Sequence, residues 1–442
     1  MLTLQGLQQQ LSPCMNAPAW VLGLSGGLDS MVLLDALVQL REQQAIPPLS
    51  AIHVHHGLSA EADAWVAFCE RECARRDVPL QVDRVQLTPG ASIEGAARDA
   101  RYQAFAARLP PEVVLLLAHH RDDQLETLLF RMLRGTGLRG LAGMPVTRSL
   151  ADGSLLRPLL QWNRVELEQW ARKHGLHWIE DPANQDPRFA RTALRHQLLP
   201  LLRQSWPQVE QSLLRLARHA SEANELLDER AAEDLNGVST PLSDSWLRYW
   251  PSLDVSAFCA LSSARQRNLL RYWLAEQGVL LPASRRLDDW LGQLSAATDS
   301  QPHVDLMGYR LYRSSGRLWL VTAHWPLAGQ PEMLAQTAVQ SLAAGNGCLR
   351  RMNLTGTSVA ALGALRIAYR QGGEHIRLAG RGNQSLKQLF QQAQIPVWLR
   401  PSVPLLYCAD ELISVGGRWN AEAALVGDMQ SGLTVSWEPV SD

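Results

Sequence analysis

The N-terminal part of this chain is predicted to be an α/β domain built on a doubly wound, mainly parallel, Rossmann-like sheet. Two observations predict it. Over the first 185 or so residues, short apolar runs (20–24, 50–55, 80–87, 113–118) alternate with amphipathic helical patterns (29–42, 61–76, 93–108, 122–134), the signature of parallel strands joined by crossover helices. Between the first run and the first helical pattern lies Ser25-Gly26-Gly27-Leu28-Asp29-Ser30, a strand–turn–helix arrangement suited to an anion. In such sheets ligands gather beyond the carboxyl ends of the strands.

That turn is the first element with a chemical reading. Gly26 and Gly27 let the backbone bend sharply and approach an anion. Amides at the start of the helix, from Leu28 onward, point at negative charge that the helix dipole favours. Ser25 and Ser30 add hydroxyl donors, and Asp29 suits Mg²⁺, which takes oxygen ligands together with phosphates. The segment is expected to cradle the pyrophosphate of ATP. No lysine follows Gly27, which excludes the Walker pattern. Gly23-Leu24-Ser25-Gly26-Gly27 also fits a nucleophile elbow, so a serine hydrolase acting through Ser25 is the alternative.

The fourth apolar run leads into Ala118-His119-His120-Arg121-Asp122-Asp123-Gln124-Leu125-Glu126-Thr127. Leu125, Leu128, Leu129, Met132 and Leu133 mark the buried stripe of the helix it opens. Asp123 and Glu126 fall on neighbouring positions of its first turns. Two histidines and several acids at a strand's carboxyl end suit acid–base work or the seating of a cation. Neither a Glu-x-x-His spacing nor a cysteine is present to complete a zinc set. Arg98, Arg101 and Tyr102 share one helical side and can meet phosphates. Glycines in Arg134-Gly-Thr-Gly-Leu-Arg-Gly140 end a helix and free backbone amides. Arg188, Arg191 and Arg195 follow the loop 181–186 and offer fixed positive charge to a transferring phosphoryl group. His53 and His55 read as structural.

Beyond this, helical patterns run over 164–174 and from 191 to about 236. A middle region of roughly 240–325 starts helical (264–277, 285–294) and ends in strand-like 309–312 and 318–321. Residues 324–347 are Pro/Gly/Ala/Gln-rich and read as a linker. The division expected is a catalytic domain at 1–215, a helical arm and middle recognition domain at 216–325, and a small α+β domain at 348–436. A chain of 442 residues exceeds one comfortable core, in keeping with such a split.

Composition narrows the class. No apolar run is long enough to span a bilayer, and the N-terminus lacks a secretory pattern. Six cysteines (14, 69, 73, 259, 348, 408) form no Cys-x-x-Cys pair, which reads as reduced thiols in a cytoplasmic protein. Lys173 and Lys387 are the only lysines among 42 basic residues. Guanidinium groups clamp anions but make poor bases or nucleophiles, so any amine nucleophile is expected to arrive with the substrate. Residues 346–420 carry nine basic residues against three acids, a net +6. Together with Tyr369, Trp398, Tyr407 and Trp419 they suit an RNA surface.

Taken in order, Ser-Gly-Gly-Leu-Asp-Ser, Ala-Ile-His-Val-His-His-Gly-Leu, Glu-x-x-Ala-Arg-x-x-Arg-Tyr, His-His-x-x-Asp-Gln-x-Glu-Thr and Arg-Gly-x-Gly-x-x-Gly-Leu resemble the bacterial tRNA(Ile)-lysidine synthases, a family of the PP-loop ATP-pyrophosphatase group. The likeness covers about residues 20–200. It returns at Gly372-Gly373-Glu374, Arg381, Leu386-Lys387 and 395–400. One departure is Thr192, where the family commonly has asparagine in Arg-Asn-x-x-Arg; Arg191 and Arg195 are kept. The resemblance implies ATP-dependent attachment of free lysine to C2 of the wobble cytidine in a CAU-anticodon isoleucine tRNA, through an adenylated cytidine. It implies ATP held by Ser25, Gly26, Gly27, Leu28, Asp29 and Ser30, with Mg²⁺ on Asp29. Asp29, His119, Asp123, Glu126 and Arg191 would carry catalysis, Asp123 and Glu126 seating the lysine. Arg98, Arg101, Arg195, Arg370, Arg377, Arg381 and Lys387 would meet tRNA. A homodimer is also within the family's habit.

Overall fold

The computed structural model describes residues 1–57, 59, 61–86, 93–181, 190–279, 284–294, 303–325, 329–335, 337–353, 365–421 and 433–439. Arg188 and the rest of the 182–189 loop lie outside them. The chain forms two compact units, Met1–Glu225 and Leu226–Asp442.

In the first unit, α1 (Leu4–Leu11) precedes β1 (Trp20–Gly23), α2 (Leu28–Gln43), β2 (Leu49–His55), α3 (Ala62–Ala74), β3 (Leu80–Arg84), α4 (Ile93–Arg108), β4 (Val114–Leu116) and α5 (Arg121–Leu133). A short α6 (Leu138–Leu141), the hairpin β5 (Thr147–Leu150) and β6 (Gly153–Leu156), and α7 (Arg164–Lys173) follow. The six-stranded sheet runs β3-β2-β1-β4-β6-β5. Strands β3, β2, β1, β4 and β6 are parallel, and β5 is antiparallel to β6. The chain moves outward from β1 through β2 to β3, then returns to place β4 on the other side of β1. The turns after β1 and β4 therefore share the switch point, where such sheets bind ligands. Apolar residues nearly all round α2 (Leu28, Met31, Val32, Leu33, Leu34, Leu37) are buried, as expected of a helix packed inside a layer.

The α5 stripe is shorter than its periodicity predicts. Leu125, Leu128 and Leu129 are buried, whereas Met132 and Leu133 are 41% and 70% exposed because the helix runs past the edge of its core. The helix read at 191–236 is broken into pieces: α8 (Ala190–Ala193), a π-helical turn at Leu194–Leu198, α9 (Leu199–Ser205) and α10 (Val209–Val238). Pro207 has no N–H for a helical bond, so α9 cannot run on into α10.

The second unit holds a four-stranded antiparallel sheet ordered β7-β10-β9-β8 (Ser252–Asp254, Arg317–Thr322, Tyr309–Ser314, His303–Leu306). Helices α11 (Val255–Ala260), α12 (Ser263–Glu276) and α13 (Ser284–Leu294) accompany it. Leu253, Phe258, Leu269, Leu270, Trp273 and Leu318 share their core. The stretch expected as a linker instead contributes β11 (Glu332–Met333) and β12 (Val339–Ser341). These pair with β14 (Leu365–Ala368) and β13 (Cys348–Asn353). Strands of two or three residues leave too little periodicity to read.

The strand-rich C-terminal part adds the hairpin β15 (His375–Leu378) and β16 (Gly382–Ser385), then α14 (Leu386–Gln392), β17 (Leu405–Cys408), β18 (Glu411–Val415), β19 (Trp419–Asn420) and β20 (Leu433–Glu438). Its core is aromatic: Trp250 packs edge-on against Trp325 and Trp398, both at 5.0 Å between centroids. Tyr369 and Trp398 are each 6% exposed, and Tyr407 and Trp419 pack onto the same cluster. Of these four aromatics, which with the basic residues suited an RNA surface by composition, Tyr369 and Trp398 lie in the core, and Tyr407 and Trp419 are partly buried against it.

Candidate active site

The turn after β1 is held from below. Leu24 N–H donates to Ile52 O (2.9 Å), and His53 Nδ1 lies 2.9 Å from Leu24 O. His53 is buried, burial keeps its pKa low, and it serves the scaffold as its sequence position suggested. Gly26 has φ +82°, and a Cβ there would come 2.6 Å from Ile179 Cδ1; its carbonyl accepts from Ile179 N–H at 2.9 Å. Only glycine adopts this backbone without strain. Gly27 caps α2 without a side-chain bond. Ser30 Oγ donates to Gly27 O (2.9 Å) and lies 3.1 Å from Ser25 Oγ. The first-turn amides of α2 have no intrahelical acceptors, so the loop offers a row of donors to an anion.

Asp29 enters the site from the first turn of α2, 3.6 Å from His120 Nε2 and 4.0 Å from Arg164 Nη1. Burial raises its pKa and Asp123 adds to the rise, against the pull of His120 and Arg164. Its Oδ1 is buried and has no hydrogen-bond partner among the described residues. An open carboxylate oxygen beside a helix start suited to anions fits Mg²⁺ arriving with a nucleotide, because Mg²⁺ uses one or two carboxylates plus phosphate oxygens.

The turn after β4 supplies the rest. His120 N–H donates to Asp123 Oδ2 (2.9 Å), fixing the start of α5. The His120 ring is 1% exposed and lies 3.5–3.6 Å from carboxylate oxygens of Asp29, Asp122 and Asp123. Burial alone would lower its pKa, but the three carboxylates outweigh it and push it up to about 9. The shift favours the imidazolium, whose charge faces all three. Asp122 also accepts from Arg164 N–H (2.8 Å) and Arg203 Nη2 (3.0 Å), and lies well below the usual carboxylate range despite its burial. His119 behaves oppositely. Burial lowers it to about 3; Asp123 pulls the other way, and Arg157, Arg101 and Arg98 add to the fall. It stands neutral beside a charged neighbour.

Glu126 is buried on α5, and burial raises its pKa against the pull of Arg195. Arg195 Nε and Nη2 donate to its two oxygens at 2.6 and 3.1 Å, and Nη2 also lies 3.5 Å from Asp123 Oδ1. Leu125 and Leu129 on α5 pack with Leu194 and Leu199, which sets the π-helical turn carrying Arg195 opposite Glu126. Such turns widen a helix and recur at functional sites.

One cavity of about 780 Å³ gathers Ser25, Gly27, Leu28, Asp29, Ser30, Arg98, Arg101, His119, Asp123, Glu126, Arg191 and Arg195 among its lining. The sequence reading thus converges on a single site. Arg195, expected against RNA, is engaged by the carboxylates of Glu126 and Asp123. Gly26 shapes the wall through its carbonyl bond to Ile179. Sequence reasoning did not single out Arg164, or His120 apart from its neighbour; doubled histidine before paired aspartates was the available signal. Ser25 has no histidine partner among the described residues. Its neighbours are Ser30 Oγ and Gly27 N–H, which removes the base a hydrolase elbow needs.

The remaining tRNA candidates lie in the second unit. Arg377, Arg381 and Lys387 are exposed on β15, its turn and α14. Arg370 differs: it lies over the Phe390 ring (5.8 Å) and 3.6 Å from Glu374 Oε2, half-buried. It belongs to the domain's own packing as much as to its surface.

Comparison with known proteins agrees with this geometry. Residues 3–202 match a family model described as "PP-loop domain", residues 253–319 one described as "TilS substrate binding domain", and residues 365–437 one described as "TilS substrate C-terminal domain". The chain is 47% identical over 436 residues to tRNA(Ile)-lysidine synthase of Pseudomonas fluorescens, covering 98% of this chain and 96% of that protein. It is 39% identical over 427 residues to that of Escherichia coli O157:H7, covering 95% and 96%. Nothing in these relatives supports the serine hydrolase alternative. The chain belongs to the tRNA(Ile)-lysidine synthase family.

Proposed function

We propose that this protein is an ATP-dependent carbon–nitrogen ligase that joins free L-lysine to C2 of the wobble cytidine in CAU-anticodon isoleucine tRNA. Cytosine C2 carries a poor leaving oxygen. That oxygen attacks the α-phosphorus of ATP, pyrophosphate departs, and an adenylated cytidine forms. The ε-amine of lysine then attacks C2 and expels AMP. The observation carrying this reading is the convergence of a helix-start anion cradle (Ser25–Ser30) with an acidic cluster (Asp29, Asp123, Glu126) in one cavity.

Each step makes a demand that this chain's residues suit. The Ser25–Ser30 amides and hydroxyls hold the departing pyrophosphate. Asp29 would hold Mg²⁺, which when bound would offset phosphate charge. Arg191 meets charge developing at phosphorus. His119, neutral at working pH, stands beside the reacting base. Asp123 and Glu126 face the lysine ammonium, held in place by Arg195 and His120. Arg98 and Arg101 meet the anticodon loop. Loop bases are already partly splayed, so the target base enters the pocket at a cost of a few kcal/mol. Arg377, Arg381 and Lys387 grip tRNA through the C-terminal region, with Arg370 behind them.

The test is incubation with ATP, Mg²⁺, labelled lysine and this tRNA. Label is expected in RNA at the wobble position, with one AMP and one pyrophosphate released per lysine. ATP turnover with no lysine in RNA would overturn the reading.

A further inference from the structure

A cluster of positive charge surrounds Tyr102, on α4. The guanidinium of Arg98 lies 5.2 Å from its ring centroid and that of Arg148 4.7 Å. Arg157, 2% exposed, points Nη2 at the Tyr102 oxygen from 3.5 Å and donates through Nη1 to Pro145 O at 2.6 Å. Its Nε is buried with no hydrogen-bond partner among the described residues. Arg131 is near enough for Arg98 and Arg157 to lower its pKa further, after burial. Among the described residues, no carboxylate forms an ion pair with Arg98, Arg131, Arg148 or Arg157. Buried or crowded cations without counter-ions are costly, and an arriving anion relieves that cost.

From this we propose that Tyr102, Arg98 and Arg148 form a subsite for a backbone phosphate of the RNA next to the reacting base, with Arg157 as its positioning residue. This rests on the function proposed above. The contacts of Tyr102 give the subsite its direction. Arg157 donates toward the Tyr102 oxygen, which leaves the phenolic O–H free to donate. Burial would raise the Tyr102 pKa, but Arg157, Arg98 and Arg148 together lower it, so its proton is a stronger donor than usual. Tyr102 and Arg98 line the same cavity as the Ser25–Ser30 loop, and Arg148 is exposed on the β5–β6 hairpin. Several guanidiniums over-match one carboxylate but suit a phosphate chain, which arginine grips well.

The test uses the full-length enzyme carrying Arg148→Gln or Tyr102→Phe. Arg148 is exposed, and Tyr102→Phe removes a single oxygen, so both variants keep the fold. Nitrocellulose filter binding of tRNA is measured from about 50 to 200 mM salt alongside KM for tRNA, ATP and lysine. Arg148→Gln should raise Kd and KM for tRNA roughly tenfold and reduce the logarithmic salt slope by about one. Tyr102→Phe should raise both several-fold with the slope unchanged. KM for ATP and for lysine should stay within about twofold of wild type. A rise confined to lysine would assign the anion as the amino-acid carboxylate, a rise confined to ATP as the nucleotide, and unchanged constants would remove the subsite; each overturns the proposal. Filter binding needs no turnover. Wild-type enzyme that binds tRNA but transfers no lysine would therefore sink the function while leaving the subsite measurable.

Discussion

Glu126 and Arg195, 69 positions apart in the chain, meet in a two-pronged ion pair at 2.6 and 3.1 Å, with the carboxylate almost wholly buried. With the carboxylate buried, this is not an exposed pair of the kind worth little. Removing one partner of a buried pair leaves the other unpaired and costs about 3–5 kcal/mol.

Arg195→Met should therefore destabilise the first unit by about that amount in urea unfolding, reduced to the extent that Glu126 takes up a proton. The double substitution Glu126→Gln with Arg195→Met should recover most of the loss. A double variant no more stable than the single would show that the two are not coupled.

Gly26→Ala places a side chain where φ is +82°. Left-handed backbone costs a non-glycine residue about 1–2 kcal/mol, and the loop can avoid that cost by re-aiming its amides. KM for ATP should rise roughly tenfold, equivalent to about 1.4 kcal/mol, with tRNA affinity unchanged. Wild-type ATP kinetics in this variant would mean that the loop does not hold the nucleotide.

His119 gives a pH prediction. Its folded pKa is about 3, against 6.5 ordinarily, so the unfolded chain binds this proton more readily. Its contribution to stability is complete above 6.5 and is lost as pH falls through the window between those values, by at most about 1.4 kcal/mol per pH unit. His119→Gln should flatten the acid side of the stability profile between pH 6.5 and about 5. Identical acid profiles would contradict a neutral imidazole at this position.

Arg377, Arg381 and Lys387, exposed on one hairpin and the helix after it, should each neutralise RNA phosphate. Replacing all three with glutamine should weaken full-length tRNA binding and lower the logarithmic salt slope by about 2–3. An unchanged slope would remove this region from the RNA surface.

What could be read from sequence was local. The Ser25–Ser30 loop is legible because glycine at a strand–helix turn has few other uses, and Asp123 and Glu126 because helical spacing puts them together. The Arg195–Glu126 pair was not legible, since it depends on how a π-helical turn packs against α5 through Leu194 and Leu199. Arg148 and Arg157 stayed hidden for a similar reason: their hairpin joins the sheet beyond β4, far in sequence from Tyr102. The aromatic residues of the C-terminal region misled because composition does not say which side chains pack into the core.

The most direct test of the central claim follows the fate of the nucleotide's phosphorus with lysine withheld. ATP labelled at the α-phosphorus should transfer its label to the tRNA, ATP labelled at the γ-phosphorus should not, and Asp29→Asn should abolish the transfer. Label reaching the RNA from the γ-phosphorus, or undiminished transfer by Asp29→Asn, would contradict the account.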